Sequence, residues 1–358
     1  MPELRERPNE RPNERPNERQ NDRQIDALAR QVQARPDAAD ARLVLADALL
    51  AEGDPRGELI ALQLAHHGSD ETAPARADQL LREHGRRWLG ALREITYRAR
   101  FARGFLTRLE LNGTWTASEA AWARHTADPQ LATVEDLVPG RAVGPIYAQF
   151  VASPALAALR RIEVFDRPTL AALRDTPARL VHVSCPSWKG GRYVQELEAH
   201  GLPALARFEA LRSLAVHLDG AAGVLGARVV DRLGALTVAG GLASGLALWP
   251  RLPVAVALTI ARTAKLDDCA QSHLPVSTGA LTLWHEAGGV IGRASGGSML
   301  RELVGNFSVL PAALHRLEVE GAGDYAVPLQ RAASWRGVEL VLRPPARRVG
   351  YVAVPDTR

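Results

Sequence analysis

The sequence predicts an α/β protein: an irregular solenoid that builds a parallel β-sheet, preceded by a small α-helical module and a disordered N-terminal tail. Three observations carry this expectation. A six-residue pattern, L-x-x-L-x-L or a close apolar equivalent, returns from about residue 104 to about residue 343. Its last two apolar places alternate with other residues, the period of a strand with one buried face. Ahead of the repeat, apolar residues recur at the three- and four-residue spacing of helices. The expected boundaries are 1–23 for the tail, 24–100 for the module, 101–345 for the solenoid and 346–358 for a C-terminal tail.

The tail carries E-R-P-N at Glu6–Asn9, Glu10–Asn13 and Glu14–Asn17. Proline every fourth residue and the lack of apolar side chains oppose both helix and core, so this stretch is expected to be a solvated spacer. From Gln24 the pattern turns helical, with Ile25, Leu28, Ala29 and Val32 on one face up to Pro36. A second helix, from about Ala39, is expected to turn Leu43, Ala46, Leu49 and Leu50 inward. It stops at Gly53, which suits a left-handed C-terminal cap. Asp54 then caps a third helix whose first residue is Pro55. A fourth helix carries Leu80 and Leu81 and leads to Trp88, Leu89 and Leu92.

The run Leu43–Leu64 contains A-D-x-L-x-x-x-G-D-P-R-G-E, from Ala46 to Glu58. It resembles the repeat-companion domain, a small bacterial module found ahead of repeat arrays. The resemblance continues through H-G-R-R-W-L-G-A-L at His84–Leu92 and R-G-F-L-T-R-L-E-L at Arg103–Leu111, and covers roughly residues 24–113. Ala48 departs from it, standing where such modules tend to carry an aromatic. The resemblance implies an association with leucine-rich-like repeats and implies no activity.

In the repeat region the middle apolar residues read Leu109, Val134, Ile162, Val181, Leu214, Leu236, Leu258, Leu281, Leu317 and Val338. Most of their intervals fall within the 20–29 residues of leucine-rich repeats, and two are longer. Asp136 spoils the third place of the second window, and the asparagine that usually follows each strand is missing. The residues beside each middle place are expected to point to a concave face. They put Arg161, Glu163, Arg316 and Glu318 toward its ends and Ser213, Ala215, Thr237, Thr259 and Thr282 at its centre, with Trp284 further along. A flat neutral centre with charged flanks is the surface expected to take a protein partner, the flanks setting register.

Composition narrows the alternatives. Hydrophobic residues at 46% and charged residues at 23%, with a net charge of +4 and opposite signs interspersed, describe a globular chain without the basic stripe of a nucleic-acid binder. Cys185 and Cys269 match no metal-ligand spacing, and the most apolar stretch, Leu242–Ile260, is broken by Pro250, Arg251 and Pro253. The cytoplasm is the expected location.

The chemistry-bearing motifs are weak. His182 and His217 on neighbouring strands invite a metal, but no third ligand follows. His285–Glu286 lacks the second histidine of H-E-x-x-H because Gly289 stands there. No pair of carboxylates stands out as tuned by burial. The expectation is therefore a non-catalytic interaction or scaffold protein with no cofactor and no metal. The alternatives are a nucleotide-responsive or enzyme-accessory component using the glycine-rich Gly288–Gly297, and weak nucleic-acid binding through the cluster Trp188–Tyr193.

Overall fold

The computed structural model describes residues 16–36, 38–65, 72–112, 119–140, 145–164, 166–176, 179–185, 197, 201–263, 277–287, 289–344 and 352–353. The chain divides into two compact units: Met1–Gly85 with Phe101–Phe105, and Arg86–Arg100 with Leu106–Arg358.

The first unit is built from helices α1 (Pro16–Ala34), α2 (Ala39–Ala51), α3 (Pro55–Ala65) and α4 (Thr72–Trp88). Helix α1 begins at Pro16, inside the stretch expected to be a tail, where a proline in the first turn gives up no intrahelical bond. Residues 1–15 lie outside the described residues. Gly53, at φ 72°, ends α2, with Asp54 N donating to Leu49 O at 2.8 Å and Gly53 N to Leu50 O at 3.0 Å. The Asp54 carboxylate then accepts from Arg56 N at 2.8 Å and so caps α3.

The core of this unit joins Val32, Leu45, Ala46, Leu49, Ile60 and Phe105, with Ile25, Leu28 and Ala29 packed against it. Leu43 and Leu50, expected inside, are instead exposed, and Arg42 is buried in the same helix. The reason is Phe105: the guanidinium groups of Arg42 and Arg56 lie 5.4 and 4.9 Å from the centre of its ring. Gly57 lets α3 approach α2, since a Cβ there would stand 2.7 Å from Ala46 O and 2.8 Å from Leu50 N. Glu58 and Arg76 join α3 to α4 through two parallel bonds of 2.6 and 2.8 Å.

The second unit is mixed α/β around an open sheet. Its strands are β1 (Thr96–Ala102), β2 (Phe105–Leu111), β3 (Asp136–Val138), β4 (Arg161–Glu163), β5 (His182–Cys185), β6 (Ser213–His217), β7 (Ala235–Ala239), β8 (Ala257–Thr263), β9 (Ser277–Glu286), β10 (Gly289–Ser295), β11 (Leu314–Glu320), β12 (Glu339–Arg343) and β13 (Val352–Ala353). They lie in chain order from β12 to β1, with β13 beyond β1. The β1–β2 turn, Arg103–Gly104, has φ of 55° and 76°, the backbone of a tight hairpin.

Strands β2 to β8 run parallel, each step bridged by helical segments. The expectation of parallel strands throughout fails at β9, which pairs antiparallel with both β8 and β10. The connection from β9 to β10 is too short to cross over, so the chain must reverse. Strand β10 restores the original direction and pairs parallel with β11. This hairpin occupies the longest interval of the pattern: Gly289–Ser295, read from sequence as part of a glycine-rich loop, is a strand hydrogen-bonded on both sides. At the far margin, β13 pairs with the outer edge of β1, so a segment expected to be a plain tail covers an open sheet edge.

The leucine pattern becomes one continuous ridge. Leu109, Leu137, Ile162, Val183, Leu214, Leu236, Leu258, Leu283, Gly292, Leu317 and Leu340 occupy successive register positions. All but Leu340 are buried. At Gly292 a Cβ would meet Leu317 Cδ1 at 2.9 Å and Leu283 Cδ2 at 3.2 Å, so its two leucine neighbours fill the space. Helices at Leu218–Gly226, Leu242–Leu246, Gly297–Asn306 and Ala326–Trp335 pack on this side of the sheet. None of this unit's helices among the described residues packs on the opposite face, the one expected to be concave.

Four windows shift against the sequence reading. The middle places are Leu137, Val183, Leu283 and Leu340, not Val134, Val181, Leu281 and Val338. Trp335, assigned to the last window, ends the helix Ala326–Trp335 and is 92% exposed.

Candidate functional site

Alternation along each strand sends every second side chain to the open face, and the register aligns these into rows. One row reads Arg108, Asp136, Arg161, His182, Ser213, Ala235 and Ala257 from β2 to β8. The next reads Glu163, Ser184, Ala215, Thr237, Thr259, Thr282, Arg293 and Glu318 from β4 to β11. All ten residues expected on a binding face, Arg161, Glu163, Ser213, Ala215, Thr237, Thr259, Thr282, Trp284, Arg316 and Glu318, therefore lie on this face.

The face has a neutral middle. Strands β6 to β8 present Ser213, Ala215, Ala235, Thr237, Ala257 and Thr259, and β9 adds Ala280 and Thr282. The only side-chain hydrogen bond linking these residues to one another, among the described residues, joins Thr259 Oγ1 and Thr282 Oγ1 at 2.9 Å.

At the β10–β12 end, Glu318 is almost buried beneath arginines. Its Oε2 accepts from Arg293 Nε at 3.1 Å and Nη2 at 2.8 Å, and its Oε1 accepts from Arg343 Nη2 at 3.1 Å. Arg316 Nη2 lies 3.3 Å away. These hydrogen bonds hold the Glu318 carboxyl below the usual range. Arg316 Nε also lies 4.0 Å from Glu339, so the three guanidinium groups of this pole are shared between two carboxylates. Arg293 also sits 5.8 Å from the centre of the Trp284 ring.

At the β1–β5 end the face is hollowed into a cavity of about 420 Å³, lined by Arg100, Arg108, Asp136, Val138, Arg161, Ile162, Glu163, His182 and Ser184. Arg108 Nη1 donates to Asp136 Oδ2 at 2.6 Å, and Arg161 Nε lies 3.6 Å from the same oxygen. Glu163 is pushed up to about 8 by burial, with Asp136 and Glu110 reinforcing and Arg108 opposing. Its carboxyl is therefore mostly protonated at neutral pH. Burial also raises Glu110 and lowers His182, whose Nδ1 is 2.9 Å from Ser213 Oγ. Behind the sheet, Tyr147 Oη donates toward Leu137 O and Glu163 O at 3.2 and 2.9 Å, which fixes the β3–β4 step from below.

This pole overturns the expectation that no pair of carboxylates is tuned by burial: Glu110 and Glu163 form such a pair. Asp136, Ser184, Arg100, Arg293 and Arg343 were missed from sequence. The signal for two of them was present, since V-x-x-L at Val134–Leu137 and L-x-x-V-x-C at Leu180–Cys185 fit the pattern and expose Asp136 and Ser184.

His182 and His217 do not meet; His182 is level with Ser213, and His217 with Ala239. No group of three or more metal-ligating side chains occurs among the described residues. Trp188–Tyr193 and Cys269 lie outside the described residues. A second concavity, of about 470 Å³, lies beside Trp335 between Phe307 and Pro328. No described helix is long and apolar enough to cross a membrane. No protein-family model matches the chain, and comparisons with curated proteins and with solved structures return no significant match.

Proposed function

We propose that the chain is a non-catalytic binding protein that takes a protein partner across the open face of its sheet. The carrying observation is the run of four adjacent strands, β6 to β9, which presents serine, alanine and threonine between two arginine-rich poles. Small side chains let a partner's backbone approach closely and lose little conformational entropy when covered. The charged poles penalise a partner docked in the wrong register.

The resemblance of residues 24–113 to a module that accompanies repeat arrays, and the sequential one-strand-per-unit build of the sheet, support a leucine-rich-like solenoid as the scaffold of that surface. Repeat scaffolds of this kind act through their extended face, and the row Ala215, Thr237, Thr259, Thr282 lies at its middle. A nucleotide-responsive role has less support, because Gly289–Ser295, most of the glycine-rich stretch meant to cradle phosphate, has its backbone committed to neighbouring strands.

The test is affinity capture with chemical cross-linking from the native lysate, comparing the wild-type chain with a Thr237→Arg/Thr259→Arg variant. A partner cross-linked to the face in the wild type should be lost in the variant while circular dichroism is unchanged. Identical cross-linked partners in both would sink the reading.

A further inference from the structure

We propose that the cavity across β1–β5 is a binding site for a phosphate monoester, its phosphate group held by Arg100, Arg108 and Arg161. The three guanidinium groups come from three strands and line one cavity. Arg108 is committed to Asp136 at 2.6 Å. Arg161 stands further from that carboxylate, at 3.6 Å, and is half exposed. Arg100 is exposed on β1. Asp136 thus organises the arginines and neutralises one of three positive charges.

The remaining lining adds donors without adding negative charge. Glu163 carries its proton up to about 8, which makes it a hydrogen-bond donor at neutral pH. His182 is held neutral by burial and is anchored on Ser213, and Ser184 offers a hydroxyl. The excess of about two positive charges matches a phosphate monoester, which carries roughly −1.5 to −2 at neutral pH and offers three acceptor oxygens. A lone carboxylate would supply one charge and two coplanar oxygens, leaving an arginine unanswered. The volume, about 420 Å³, is several times that of a phosphate group and leaves room for the group esterified to it, over His182 and Ser184.

The phosphate could be carried by a free metabolite or by a phosphorylated side chain of a partner; the recognition chemistry is shared. It stands apart from the reading of the central face, since no residue of β7, β8 or β9 lines the cavity.

Isothermal titration of the full chain with inorganic phosphate, glycerol phosphate and a phosphoserine peptide tests it. Saturable binding is expected at pH 7, weakened about tenfold or more by Arg100→Ala/Arg161→Ala and clearly by Arg161→Lys, which keeps the charge and loses the fork. Affinity should also fall as pH rises through about 8, where the Glu163 carboxyl ionises among Arg100, Arg108, Arg161, Asp136, Glu110 and His182. Glu163→Gln should abolish that fall. Tight binding of the peptide with weak binding of the two small probes assigns the phosphate to a partner; the reverse assigns it to a metabolite. Absence of saturation by all three probes at about 10 mM, a level at which even feeble complexes register, overturns the proposal. Equal affinity in the double arginine variant does so too. Thr237→Arg/Thr259→Arg should leave the small probes unaffected, so loss of the central surface and loss of this site are read separately.

Discussion

Arg108 on β2 donates to Asp136 on β3 at 2.6 Å, and the acid that interrupts the apolar pattern is the one that holds the arginines of the cavity in place. Asp136 is almost buried, while Arg108 and Arg161 keep part of their surface in water. Asp136→Ala therefore leaves two cations with no counter-charge in a hollowed face. The expected loss is about 1.5–3 kcal/mol of stability, the range for hydrogen bonds to charged groups. Urea unfolding monitored by tryptophan fluorescence would measure it, and a midpoint equal to wild type would refute the role given to Asp136.

The strand order was legible because each window carries its own local evidence: an apolar place every second residue and a turn after it. Register was less legible, and the errors are physical. At Val134 and Leu137 apolar residues three apart fit equally well, and a three-residue slip turns the opposite set of side chains to the open face, which hid Asp136. At Val181 and Val183 the slip is two residues, so His182 kept its place and only Ser184 was missed. Strand β10 escaped notice because Gly292 occupies the ridge position where a leucine would have announced it. Arg42 could not be foreseen inside, because the ring it packs on, Phe105, is distant in sequence.

Three glycines separate backbone conformation from space. Gly57→Ala would push a methyl group against the backbone of α2 at Ala46 and Leu50, atoms that cannot swing away. The expected cost is about 1–3 kcal/mol or more, as for other overpacked sites. Gly53→Ala meets no atom within 4 Å but must hold φ near 72°, which costs about 1 kcal/mol. Gly305→Ala meets neither obstacle and lies in the helix Gly297–Asn306, so it should stabilise by about 0.4–1 kcal/mol. Denaturant melts of the three variants give this order or break it.

Cys185 is fully buried in the second apolar row, level with Val216, and its thiol is pushed up to about 12 by burial, with the nearby Glu163 adding to the shift. A thiol so placed has almost no thiolate at neutral pH and should resist alkylation in the native state. Peptide mass spectrometry after iodoacetamide treatment should find Cys185 unmodified until denaturant is added. Rapid native labelling would mean that this row opens.

Glu163 and Glu318, at the two poles, should give the stability profile opposite slopes. Hydrogen bonds from Arg343 and Arg293 lower the Glu318 pKa on folding, so its contribution is present above the carboxyl's unfolded value and is lost as pH falls through the folded one. Burial raises Glu163 from 4.5 to about 8. Between those values the native state binds a proton that the unfolded chain has released, so stability declines as pH rises across that window and levels off above it. Glu163→Gln keeps the shape and a donor but cannot ionise; it should remove the decline and raise the melting temperature most above about pH 8. Glu318→Gln should lower the melting temperature at pH 7, and the difference should shrink as pH falls below the carboxyl's unfolded value. Thermal melts of both variants from pH 3 to pH 9 decide the matter. If Glu163→Gln tracks the wild type throughout, Glu163 is ionised in the native protein, and the uncharged donor at the floor of the cavity does not exist.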